Sequence, residues 1–150
     1  MTTATTYDWP RLASTSEYET LVAIRDVLSE GNVEEACAGL EELIDSVAKI
    51  HLHAVRSHLC QLMAHILKWK IQPDRRSRSW TVTIANARDE IKDIQELVPS
   101  ITDETIREVW TKCFHRAKRM AELETGITIK ISSLTEQEVF DDEYFLSAND

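Results

Sequence analysis

Apolar residues recur at helical spacing along most of the chain. In STSEYETLVAIRDVLSEG, Leu21, Ile24, Val27 and Leu28 share one helical face. Ser16 with Glu19 three residues later forms a capping-box pattern, and Gly31 ends the segment. Asn32 with Glu35 repeats the start signal, and no Pro follows until Pro73. Leu40, Leu43, Ile44, Val47 and Ile50 make a stripe, continued slightly round the axis by Val55, Leu59, Leu62, Ile66 and Trp69. The pattern predicts a short helical turn at 33–38 and one long helix over about 40–70. Thirty helical residues span about 45 Å, so a bend or a partner helix is expected.

IQPDRRSRS reads as a turn, because Pro73 cannot continue the helix and disfavours a helical Gln72. Ser77 or Ser79 then caps a second long helix. Its core face is Trp80, Ile84, Ala87, Ile91, Ile94 and Val98, a heptad seam closed by Pro99-Ser100. Thr102-Asp103-Glu104 opens another helix with acidic residues in its first turn. Ile106, Val109, Trp110, Cys113, Ala117 and Met120 face inward there, and Gly126 stops it. Ile127, Ile129 and Ile131 alternate with polar residues. A lone strand has no partner elsewhere, so an extended arm is expected. Thr135 with Glu138 marks a last short helix, docked by Phe140, Tyr144, Phe145 and Leu146. The first dozen residues read as irregular, anchored at Trp9-Pro10. The fold class is therefore all-α: a helical bundle with a long central helix, antiparallel neighbours, and a short C-terminal arm plus helix. It reads as one domain over 1–150, with its core at about 16–126 and the arm at 127–150.

Composition narrows the classes. The 150 residues are 43% hydrophobic and 29% charged, with three Gly and three Pro. That suits a globular helical domain and argues against collagen or a turn-dense β-sandwich. No apolar run is long enough to span a membrane, and the opening MTTATTYDWPR lacks the pattern of a secretory signal. Cys37, Cys60 and Cys113 are odd in number, widely spaced and free of any CxxC pair, so buried free thiols in a cytoplasmic protein are expected. The net charge of −9 argues against nucleic acid and anionic membranes as partners. It is unevenly placed: residues 1–50 carry −7, 51–88 carry +6, 89–125 carry −3 and 126–150 carry −5.

The basic stretch holds the densest chemistry. In HILKWKIQPDRRSRSW, Lys68, Lys70, Arg75, Arg76 and Arg78 converge on one inter-helix corner. Arg forks suit carboxylate or phosphate, and Ser77 and Ser79 begin a helix whose amides favour an anion. Trp69 offers a flat face, whereas Trp80 begins the core stripe. The competing reading pairs these cations with acidic segments of the same chain. His51, His58 and His65 lie seven apart, about 10.5 Å, so no two share a metal on this helix, and no metal or cofactor is expected. Glu124 continues the inward register of its helix and is expected to be partly buried, paired with Arg88 or with a corner cation. His65, Arg88 and Glu124 are the candidates for acid–base catalysis.

HILKWKIQPDRRSRSWTVTI resembles the domain of unknown function 29 family, abundant in cyanobacteria. The resemblance rests on His65, Lys68, Trp69, Gln72, Pro73, Arg76, Ser77, Ser79, Trp80, Thr83, Ile84 and Arg88, with Glu124-Thr125-Gly126 later. It is best over about 40–126, and the closing E-x-V-F-D-x-E-Y-F-L is similar to the family's last segment, with Ser132-Ser133 where a Cys-Pro is usual. The resemblance implies a small all-helical protein and no known activity. Three functions follow as expectations: a binding or regulatory module whose basic corner takes an acidic protein segment or phosphate-bearing ligand, a small hydrolase or transferase acting on such a substrate, and nucleic-acid binding through the same patch. A homo-oligomer through helix packing is the structural competitor.

Overall fold

The computed structural model describes residues 6–147. The order is α1 (Trp9–Thr15), α2 (Glu17–Ser29), α3 (Val33–Ile71), a 3-10 turn (Pro73–Arg75), α4 (Arg78–Leu97), α5 (Asp103–Thr125) and a π turn (Gln137–Asp141). No strand occurs among the described residues. The described residues up to Ile50 form one compact unit and those from His51 on a second, with α3 running through the boundary. The last residues of the expected arm, 148–150, and the first five of the chain lie outside the described residues.

In the first unit, the stretch expected to be irregular contains a helix. The Asp8 side chain accepts from the Arg11 amide, and Pro10 sits in the first turn, where its missing N–H costs nothing. Trp9 is buried and its indole Nε1 donates to Glu35 Oε1 at 2.7 Å. Ser16 caps α2 by accepting from the Glu19 amide, as the sequence pattern predicts. Trp9, Ala23, Ile24, Val27, Ala36 and Leu43 form the core of this unit. Leu21, Leu28, Leu40 and Ile44, expected in the core stripes, are exposed, because Ile24, Val27 and Leu43 occupy the seam.

The expected break near residue 39 is absent. Gly39 stays inside α3, where a Cβ would lie 2.8 Å from Ile24 Cγ1 and 2.8 Å from Trp9 Cζ3. The glycine is a notch that lets the indole and α2 reach the backbone of α3. Its helix-propensity cost relative to Ala is about 1 kcal/mol, and the close packing it permits outweighs this.

The second unit is organised round the C-terminal half of α3. Val55, Leu59, Leu62, Met63, Ile66 and Leu67 are wholly buried, packed with Ile84, Ala87 and Ile91 of α4 and Val109, Cys113 and Ala117 of α5. Ser77, rather than Ser79, caps α4, accepting from the Trp80 amide at 3.3 Å. Thr102 and Thr105 form the capping box of α5, and Gly126 closes it at φ 71°. The arm packs on this bundle as expected, burying Ile129, Leu134 and Val139. Thr135 and Glu138 bond reciprocally, each side chain accepting from the other's amide at 3.1 Å. The segment they start is the π turn. Phe140 and Tyr144 pack on the core, but Phe145 is exposed.

Gly39→Ala should lower stability by about 1–3 kcal/mol, because overpacking exceeds the helix-propensity gain. Chemical denaturation measures this, and a gain in stability would show that the notch is not needed.

Candidate functional site

The basic corner is built where α3 ends, the 3-10 turn reverses the chain and α4 begins. Its cations have separate fates. Lys70 pairs with Glu138 of the π turn. Arg76 Nε donates to the Trp69 carbonyl at 2.9 Å, and its guanidinium lies 4.7 Å from the centre of the Trp69 ring. The indole is buried and also meets Tyr144 edge to face at 5.8 Å. Trp69 therefore presents no flat face to solvent. Arg75 and Arg78 are exposed and form no side-chain ion pair or hydrogen bond among the described residues. Ser77 is used as a cap, and Ser79 is exposed.

Lys68 is the unusual member. It is 8% exposed, and its Nζ donates to Glu124 Oε2 at 2.8 Å while lying 5.3 Å from the centre of the Trp80 ring. Glu124 is not buried as its register suggests, since its side chain is 54% exposed. It stands at the end of α5 and reaches Lys68 from the solvent side. Trp80 is only partly buried, because it walls this site instead of filling the core. Together Lys68, Gln72, Arg75, Trp80, Glu124 and Thr125 line a cleft of about 290 Å³.

His65 lies one turn before Lys68. A carbonyl only accepts, so Nδ1 carries the proton donated to the Gln61 carbonyl at 2.9 Å. Burial pulls the His65 pKa below its ordinary value, and the Lys68 charge adds to this, while the Gln61 bond and Glu124 oppose it. The catalytic candidates are not all brought together. Arg88 does not reach Glu124, whose partner is Lys68. Arg88 Nε donates to the Val139 carbonyl at 2.8 Å, and its Nη2 donates to the carbonyls of Asp142 at 2.8 Å and Glu138 at 3.3 Å. Its guanidinium also lies 5.6 Å from the Tyr144 ring. Arg88 is thus the clasp of the C-terminal arm, helped by Tyr144, whose hydroxyl donates to Glu138 O at 2.7 Å.

Sequence reasoning missed this clasp. Backbone carbonyls carry no residue identity, so a side chain bound to them leaves no pairing signal. The Lys70–Glu138 pair holds the Glu138 carboxyl below its usual range, first through the Lys70 hydrogen bond and then through the Thr135 amide. Trp110 Nε1 adds a donor to Leu134 O at 3.0 Å.

The fold and site define an all-helical protein whose basic corner is divided between an arm clasp and one small cationic cleft. The family described as Domain of unknown function DUF29 matches residues 24–149, and the chain belongs to that family. No curated protein and no solved structure matches it significantly. No helix among the described residues is long and apolar enough to cross a membrane.

Two predictions follow from this geometry. Arg88→Ala should cost about 1–3 kcal/mol and speed proteolysis within the arm, because three partly buried carbonyl acceptors lose a charged donor. Unchanged stability and cleavage would contradict the clasp. His65 is held neutral in the fold, so its contribution is present above its ordinary pKa of 6.5 and is lost as pH falls below it toward the lowered value. His65→Gln should therefore lose less stability than wild type as pH falls below 6.5. Parallel pH profiles of the two would refute this.

Proposed function

We propose that this chain is a non-enzymatic binding module, working in the cytoplasm, that takes a carboxylate of an acidic protein segment into the Lys68 cleft. The observation that carries the reading is a nearly buried ammonium whose partner is a half-exposed carboxylate at the cleft mouth. An ammonium taken out of water needs an anion. An anion that reaches it from solvent can be exchanged for another. Arg75 stands at the rim with its fork unoccupied, and Arg78 lies next to the start of α4. Arg forks bind carboxylates in two parallel hydrogen bonds, so Arg75 supports a second contact to the same ligand. Trp80 supplies an apolar wall against which a ligand's methylene groups pack.

A carboxylate fits better than a phosphate. Glu124 remains in the cleft wall, and its repulsion grows with the charge of the incoming group. The remaining cations of the corner support binding only indirectly. Lys70 pairs with the arm and Arg76 holds Trp69. A binding test based on Arg76 would confuse recognition with folding.

The test is a titration at low salt, followed by Trp fluorescence and calorimetry. The probes are a hexaglutamate peptide with blocked ends and, separately, inorganic phosphate. The expected result is saturable binding of the peptide, with affinity falling at least about tenfold, or 1.4 kcal/mol, in the Arg75→Ala/Arg78→Ala double variant. Equal affinity in the variant, or no peptide binding by the wild type, would overturn the reading. Preference for phosphate would overturn the choice of carboxylate.

A further inference from the structure

The three cysteines divide sharply once folded. Cys37 is exposed in the first unit, whereas Cys60 and Cys113 are buried in the second. The buried two are 53 residues apart and come from facing positions of α3 and α5. Cys60 Sγ donates to the Cys113 carbonyl at 3.6 Å. Cys113 Sγ donates to the Arg56 carbonyl at 3.8 Å, one turn before Cys60 on α3. Each sulfur therefore lies against the helical turn that carries the other.

We propose that Cys60 and Cys113 are a modification site, a dithiol that a small hydroperoxide converts into a disulfide joining α3 to α5. The environment favours one thiolate. The neighbouring Cys113 side chain and the charges of Arg116 and Arg56 bring the Cys60 thiol down to about 7 against the opposing effect of burial. The Cys60 side chain and burial push Cys113 up, so Cys60 is the attacking sulfur and Cys113 the resolving one. Exposure of 4% and 3% limits access to an oxidant little larger than water, such as hydrogen peroxide.

The steps balance. The Cys60 thiolate attacks one peroxide oxygen, the O–O bond breaks, and hydroxide leaves, giving the sulfenic acid at Cys60. Cys113 sulfur then attacks the Cys60 sulfur, its proton goes to the departing oxygen, and water leaves. Two thiols and one hydrogen peroxide become one disulfide and two waters. A thiol reductant reverses the change by exchange. The bridge closes a loop of 53 residues and so restrains the unfolded chain.

The full-length protein is treated with hydrogen peroxide, quenched, alkylated in denaturant and mapped by mass spectrometry. The expected result is a linked Cys60–Cys113 peptide, two hydrogens lighter than its parts and restored by dithiothreitol. Alongside it, Tm should rise by about 5 °C or more. The Cys113→Ala variant should stop at a sulfenic acid on Cys60 that dimedone traps. The Cys37→Ser variant should still form the bridge. The proposal is overturned if Cys60 and Cys113 both remain alkylatable under conditions that oxidise Cys37. It is equally overturned if Cys60 proceeds to sulfinic acid in the wild type without a bridge. Should the Cys113 variant not fold, the wild-type peptide map decides alone.

Discussion

The C-terminal half of α3 is apolar over more than half of its circumference, and that surface must be covered. Leu62, Met63, Ala64, Ile66 and Leu67 are consecutive or nearly so, and at about 100° per residue they cover an arc of about 200° round the axis. Each large side chain hidden from water contributes about 1.5–3 kcal/mol. The apolar seams of α4 and α5 cover part of this surface. The arm covers more with Ile129, Leu134 and Val139. An irregular segment cannot satisfy its own carbonyls as a helix does, so burying it requires donors from elsewhere. Arg88, Tyr144 and Trp110 are those donors.

This constraint explains how the basic corner is used. A cluster of five cations on an acidic chain reads as a single recognition surface. The fold spends Lys70 on the arm and Arg76 on Trp69, which in turn supports Tyr144. Lys68 lies beneath Trp80 and Glu124, and Arg75 and Arg78 are exposed with no side-chain ion pair among the described residues. Within one run, then, Lys68, Lys70 and Arg76 have partners in the chain, whereas Arg75 and Arg78 form no side-chain pair among the described residues.

Local chemistry was the most legible part of the fold. Ser16, Ser77, Thr102, Gly126 and the Thr135–Glu138 pair mark boundaries because a cap acts on amides within three residues. The seam of α4 was equally clear, since its period is regular. Longer-range geometry was not. The exposed Ile44 has the same spacing as the buried Leu43 stripe, and periodicity alone does not say where the partner helix sits. The role of Gly39 inside α3 was not legible because its reason lies in Trp9, thirty residues away. Glu124 follows an inward register but stands at the last turn of α5, where the bundle no longer covers it. The Cys60–Cys113 pairing is invisible in a chain without CxxC spacing, because packing of α3 on α5 creates it.

The central claim is that the arm is an integral part of the second unit's core, held by the corner and not lying loosely on it. Residue-resolved amide hydrogen exchange tests this most directly. The Val139 and Asp142 amides, which donate to Thr135 O and Gln137 O, should exchange on a timescale close to that of the Leu62–Leu67 amides of α3. Fast exchange of these arm amides, with α3 still protected, would contradict the account.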